Sequence, residues 1–115
     1  MVQLFEDQGW IVHLLESSIE RACVLVAHDY KCKLIKLRGE KGIPDRMLLT
    51  PFGQMAFLEF KSPGKSLAPI QKHIQVVLTE MGFTCLEVDS VILFKQCLKD
   101  LLVQAGYRTR TKKEV

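Results

Sequence analysis

The chain has 115 residues, of which 48% are apolar and 25% charged, with a net charge of +3. That length fits one domain over residues 1–115, burying about two-thirds of its unfolded surface in one modest core. It excludes a membrane span, because no apolar run is long enough to cross a bilayer, and the start MVQLFEDQGW lacks the basic opening and cleavage signature of a secretory signal.

Residues 1–15 carry Leu4, Phe5, Trp10, Ile11, Val12, Leu14 and Leu15, too apolar for a free tail. They are expected either to cover the core or to meet another subunit. Residues 16–30, ESSIERACVLVAHDY, read as a helix, or the later part of one, because Ile19, Cys23, Val26 and Ala27 recur at helical spacing. If the helix starts here, Ser17 can cap it, with Glu20 completing a capping box. Glu16 and Glu20 are four apart and so share a face.

Residues 32–37, CKLIKL, read as a strand, and Gly39 to Pro44 as a loop. Across residues 31–46 stand Lys31, Lys33, Lys36, Arg38, Lys41 and Arg46 against only Glu40 and Asp45. A basic cluster of this kind suits a polyanion. Arg108, Arg110, Lys112 and Lys113 form a second cluster, for which a solvated, frayed end is the preferred reading. Residues 45–50, DRMLLT, and 54–61, QMAFLEFK, read as a hairpin about the turn Thr50-Pro51-Phe52-Gly53.

Pro69 suits the first position of a helix, leaving Ala68 as a poor cap. Ile70, Ile74, Val77, Leu78 and Met81 make its apolar face, and Gly82 ends it. Residues 83–88, FTCLEV, form a fourth strand. A last helix, residues 90–105, buries Val91, Phe94, Leu98, Leu101 and Leu102 before Gly106. The order α-β-β-β-α-β-α, with a helix crossing between the third and fourth strands, predicts an α/β fold with a mixed central sheet flanked by helices.

Cys23, Cys32, Cys85 and Cys97 form no Cys-x-x-Cys pair, and most sit beside apolar residues, so reduced thiols and a cytoplasmic location are expected. His13, His28 and His73 match no zinc spacing.

The chemistry concentrates in KGIPDRMLLTPFGQMAFLEFKS. On an extended strand Met55, Phe57, Glu59 and Lys61 share a face, and Glu59 and Lys61 lie roughly 7 Å apart along it. Asp45 begins the partner strand, aimed by the restricted backbone at Pro44. Two close carboxylates repel unless a cation lies between them, and Mg²⁺ takes a few protein oxygens while keeping water and phosphate. Lys61 can then orient the attacking water or offset charge on the phosphate. Glu20 can supply a further oxygen.

The order of GIPD, EFK, a preceding helical Glu20 and a following Gln71 resembles the PD-(D/E)XK nuclease superfamily, and within it the VRR-NUC domain. The resemblance runs from about Glu16 to Leu102. It implies a PD-(D/E)XK nuclease-like core in a single VRR-NUC-like domain, with Glu20, Asp45 and Glu59 as the acidic metal site. Phe60 would add its backbone carbonyl to the metal; Lys61 would be the catalytic lysine and Gln71 an auxiliary polar residue. Gln71 equally reads as an exposed polar residue of its helix. Glu16 rivals Glu20, but the context SSIERAC fits the family pattern better around Glu20. Ala68 departs from the pattern, where a capping Ser is expected.

The family includes stand-alone phage proteins, so the resemblance implies a Mg²⁺- or Mn²⁺-dependent endodeoxyribonuclease. It further implies selectivity for branched DNA such as four-way junctions, a homodimer, and a bacterial host cytoplasm if the chain is phage-encoded. The alternative is a DNA-binding module that keeps the nuclease fold without cutting.

Overall fold

The computed structural model describes residues 8–106, with side chains from residue 16 onward. The elements run α1 (Gln8–Asp29), β1 (Lys33–Lys36), β2 (Arg46–Leu49), β3 (Met55–Phe60), α2 (Pro69–Glu80), β4 (Thr84–Val88) and α3 (Val91–Gln104). The predicted element order stands. Arg108, Arg110, Lys112 and Lys113, Leu4 and Phe5, and the side chains of Trp10, Ile11 and Leu14 lie outside the described residues.

Helix α1 begins well before Glu16, so Ser17 and Glu20 sit inside it and form no capping box. The apolar periodicity runs back through the preceding residues, and Glu20 is left with its carboxylate available to the sheet. At the other end Lys31 takes a left-handed backbone, φ 63°. The Lys31 N–H donates to the His28 carbonyl at 3.0 Å and the Cys32 N–H to the Ala27 carbonyl at 2.8 Å. This is the Schellman arrangement, usually closed by glycine.

The sheet order is β1-β2-β3-β4. The β1–β2 and β2–β3 pairs are antiparallel, and β3–β4 is parallel, joined through α2. At the hairpin the Thr50 N–H donates to the Gln54 carbonyl at 3.0 Å, and Gly53 takes φ 79°. Ala56, Leu58 and Phe60 point to one face, where they form the core with Cys23 and Ala27 of α1 and Phe94 and Leu98 of α3. Ser90 caps α3 by accepting the Leu93 N–H at 3.1 Å. As predicted, α3 buries Phe94, Leu98, Leu101 and Leu102, with Val91 partly buried.

Alternate residues face the other way. Phe57 meets Phe83 edge-on with ring centroids 5.6 Å apart, and Glu59 bonds to Gln71 of α2. Helix α2 therefore covers the opposite face, but thinly. It has no fully buried residue, and Met81 of its apolar stripe is 65% exposed. Its cap is Ala68, which offers no side-chain acceptor; Gln71 Oε1 instead accepts the Ala68 N–H at 2.8 Å. Cys23 and Cys32 are buried and Cys85 and Cys97 partly so, all as free thiols. Burial pushes the Cys23 thiol up to about 12, which keeps it unreactive. Among the described residues no helix is long and apolar enough to cross a membrane.

The loop between β1 and β2 is seated on α2 through Gly42, φ +86°, where an added Cβ would lie 2.7 Å from Ile70 Cγ1 and 3.1 Å from the Ile70 carbonyl oxygen. Gly42→Ala is expected to cost about 1–3 kcal/mol for the backbone conformation alone, plus the displacement of Ile70. Gly53→Ala, φ +79° with nothing within 4 Å, carries the backbone term only. Urea unfolding of both variants checks the difference: the larger loss belongs to Gly42→Ala.

Candidate active site

The antiparallel register pairs Arg46 with Leu58, which sets Asp45 and Glu59, one step further out, opposite each other where β2 begins and β3 ends. The Asp45 backbone extends the ladder, its carbonyl accepting the Leu37 N–H at 3.0 Å. Asp45 Oδ2 accepts the Phe60 N–H at 2.8 Å. Glu59 is only 5% exposed, and its Oε1 accepts from Gln71 Nε2 at 2.8 Å. The two carboxyl groups are hydrogen-bonded to each other. A proton on one carboxyl is then favoured, because a buried negative charge in contact with a second, half-buried one is costly.

Burial is the main force raising the Glu59 carboxyl to about 8; the negative charge of Asp45 and the bond to it add, and Gln71 opposes. Burial also raises Asp45, against the N–H of Phe60 and the bond from Glu59. Burial and the neighbouring charge of Asp45 thus favour the protonated form of Glu59.

Asp45 borders a cleft of about 450 Å³ lined also by Glu16, Glu20, Phe60, Lys61 and Gln71, among others. Glu20 lines it without meeting the other two acids directly. Its Oε2 accepts from Lys36 Nζ at 3.0 Å and from Arg46 Nε. Arg46 Nη1 also reaches the Leu34 carbonyl at 3.0 Å. Burial acts to raise the Glu20 carboxyl, but the bonds from Arg46 and Lys36 outweigh it and hold the group below its ordinary value. Both cations use the same oxygen, and among the described residues none bonds to Oε1.

Lys61 also lines the cleft, with its ammonium donating to the Lys65 carbonyl at 2.8 Å. Phe60 has its side chain in the core, as the alternation predicted, and its N–H on Asp45. The picture of Gln71 as a merely exposed helix residue is overturned: its amide joins the cap of α2 to Glu59. Asp45, Glu59 and Gln71 are thus in direct contact, while Glu20 and Lys61 stand beside them on other partners. Among the described residues no three His, Cys, Asp or Glu side chains form a ready-made metal cluster.

Three participants were not marked as site residues by sequence. Arg46 and Lys36 read only as members of the basic run, although Arg46 stands on the face opposite Asp45 by simple alternation. Ser62, 2% exposed, bonds to Glu16 through its N–H and Oγ, and no pattern in the sequence marks it.

No protein-family profile matches the chain. One relative, "Putative nuclease p44" of Acyrthosiphon pisum secondary endosymbiont phage 1, is 35% identical over 52 residues, which are 45% of this chain and 56% of that protein. The chain thus spans about half the length of the curated relative it matches. A solved structure described as a VRR_NUC domain superposes with a TM-score of 0.69 at 19% identity, covering 74% of this chain and 95% of that one. The architecture is therefore a mixed α/β sandwich, and the chain has the VRR_NUC fold.

The shared proton has a consequence for stability. The folded chain holds the Glu59 proton up to about pH 8, whereas the unfolded chain releases it near the ordinary value of 4.5. Between those values the folded state binds more protons, so stability falls as pH rises through the window. In EDTA the melting temperature is expected to drop between pH 5 and pH 8, and Glu59→Gln to flatten that drop; differential scanning calorimetry across the range checks it.

Proposed function

We propose that this protein is a Mg²⁺- or Mn²⁺-dependent endodeoxyribonuclease. The observation that carries this reading is the contact of Asp45 with the buried Glu59, beside a cleft that Asp45 and Lys61 both line. The donor set fits a hard divalent cation: carboxylate oxygens of Asp45 and Glu59, the Phe60 backbone carbonyl, and Oε1 of Glu20. When bound, such a cation neutralises the facing carboxylates, polarises a phosphodiester and lowers the pKa of a coordinated water.

The chain's own residues do the rest. Glu59 must give up its proton so that both acids are ionised. Gln71 keeps Glu59 Oε1 oriented through that change, since its amide is itself anchored on the cap of α2. Lys61 moves from the Lys65 carbonyl to the attacking water or the phosphate oxygens, where it offsets growing negative charge. The exposed basic residues of β1 and the following loop give the DNA backbone its approach.

Branched DNA is the proposed substrate and a homodimer the acting form. A two-fold dimer presents two sites to a junction with its own near two-fold symmetry. The proposed location is the cytoplasm, of the bacterial host if the chain is phage-encoded. The alternative, a DNA-binding module that does not cut, draws on the internal engagement of Lys61 with Lys65 and of Glu20 with Arg46.

Incubation with labelled linear and four-way-junction DNA, with Mg²⁺, Mn²⁺ or EDTA, decides between them. Glu59→Ala and Asp45→Asn are expected to lower cleavage about 10³-fold or more while leaving DNA bound, and Lys61→Ala about 10²-fold. Wild-type cleavage by Glu59→Ala sinks the site assignment; binding without metal-dependent cutting by the wild type favours the alternative. Paired symmetric nicks, with a light-scattering mass of twice 13.1 kDa, are expected of the dimer. For binding, log affinity should fall linearly with log salt, and Lys33→Ala, Arg38→Ala and Lys41→Ala should each reduce the slope by about 0.9 for every phosphate left without its cation. Fluorescence anisotropy at several salt concentrations measures it, and an unchanged slope removes this surface from the DNA track.

A further inference from the structure

Glu16 lines the cleft, yet the bonds it makes among the described residues go to one residue of the protein itself. Its Oε1 accepts from the Ser62 N–H at 3.1 Å and from Ser62 Oγ at 3.2 Å. Ser62 lies 46 positions away and is buried. It is the point where the chain leaves the sheet. The Lys61 N–H still joins the ladder, donating to the Val88 carbonyl at 3.0 Å. Among the described residues the next N–H, on Ser62, pairs with no strand, and a buried N–H needs an acceptor. Glu16 supplies that acceptor from α1.

The carbonyl of Ser62 is fixed as well, accepting the Lys65 N–H at 3.0 Å, and the Lys65 carbonyl in turn holds Lys61 Nζ. The backbone around Lys61 is thus held on one side by β4 and on the other by Glu16. Pro63 restricts Ser62 further toward an extended conformation.

We infer that Glu16 is a positioning residue for Lys61: its carboxylate clamps Ser62 at the end of the catalytic strand and so fixes the origin of the lysine side chain. Glu16 acts through hydrogen-bond acceptance, not through its charge and not as a ligand of the cation. This rests on the nuclease reading for its catalytic part and on the bonds alone for the clamp. A glutamine at position 16 can accept both bonds with its amide oxygen, whereas alanine or the shorter aspartate cannot span the gap.

The test compares Glu16→Gln, Glu16→Ala, Glu16→Asp and Ser62→Ala in the full chain. Hydrogen exchange of the Ser62 amide, Mn²⁺ affinity by titration calorimetry, and kcat and KM for DNA cleavage are measured. In Glu16→Ala the Ser62 amide is expected to lose at least about 10-fold in protection. Its kcat should fall about 10²-fold, as for a misplaced catalytic group, with KM and Mn²⁺ affinity close to wild type. Ser62→Ala, which keeps the N–H arm, should show a smaller fall in kcat. Glu16→Gln should recover both protection and kcat, and Glu16→Asp neither.

A Glu16→Gln variant as slow as Glu16→Ala, with weakened Mn²⁺ binding, overturns the proposal in favour of a metal-ligand role. Undiminished kcat in Glu16→Ala despite an unprotected Ser62 amide overturns the link to Lys61. Failure of the wild type to cut any DNA sinks the nuclease reading and the catalytic role with it. In that case the exchange data still decide the clamp, which stands if Glu16→Ala loses Ser62 protection and falls if it does not.

Discussion

Asp45 and Glu59 meet because β2 and β3 run antiparallel in a register that leaves no alternative: with Arg46 opposite Leu58, the residues one step beyond must face each other. The contact is unfavourable as an anionic pair and tolerable only with a proton or a cation between the oxygens. Much of the surrounding polar structure answers that requirement. The Phe60 N–H is spent on Asp45, the Gln71 amide on Glu59, and the cap of α2 on holding Gln71 in place. A helix with no fully buried residue is anchored at its start by this network and by Gly42 packing under Ile70, which ties the thin side of the sandwich to the acids.

The opposite side of the cleft belongs to α1, whose length serves two contacts one turn apart. Glu20 takes Arg46 and Lys36 from the first two strands, and Glu16 takes Ser62 from the end of the third. These bonds join helix to sheet beside the apolar core of Cys23, Ala27 and Phe60. They also bring Lys36 and Glu20 within electrostatic reach of Asp45, where Lys36 eases and Glu20 increases the cost of its negative charge. Basic residues that would serve a polyanion on an open surface are here partly neutralised inside the protein. Others of the same run, such as Lys33 and Arg38, are exposed.

Much of this was legible in advance for reasons that are local. Alternation along MAFLEFK put Glu59 and Lys61 on one face and Phe60 on the other, and a strand permits nothing else. Pro69 and Gly82 bracketed α2, and Ser90 opened α3 with the cap its hydroxyl makes. Glu16 and Glu20 shared a face of α1 by their spacing alone. Whether Ser17 caps the helix or lies inside it stayed open in the sequence, because a capping pattern looks the same within a longer helix, and α1 runs back through QGWIVHLL.

By itself, then, the sequence determined the order of elements, the faces of the strands and the set of acids and lysine available for chemistry, because backbone sterics and side-chain periodicity act over a few residues. Only the tertiary structure decided partners. That Glu20 answers to Arg46 and Lys36, that Glu16 holds Ser62, and that Gln71 reaches Glu59 depend on register and on how helices dock across the sheet. The raised Glu59 carboxyl belongs to the same category, since burial and a second acid at contact distance, both products of the fold, act on it together.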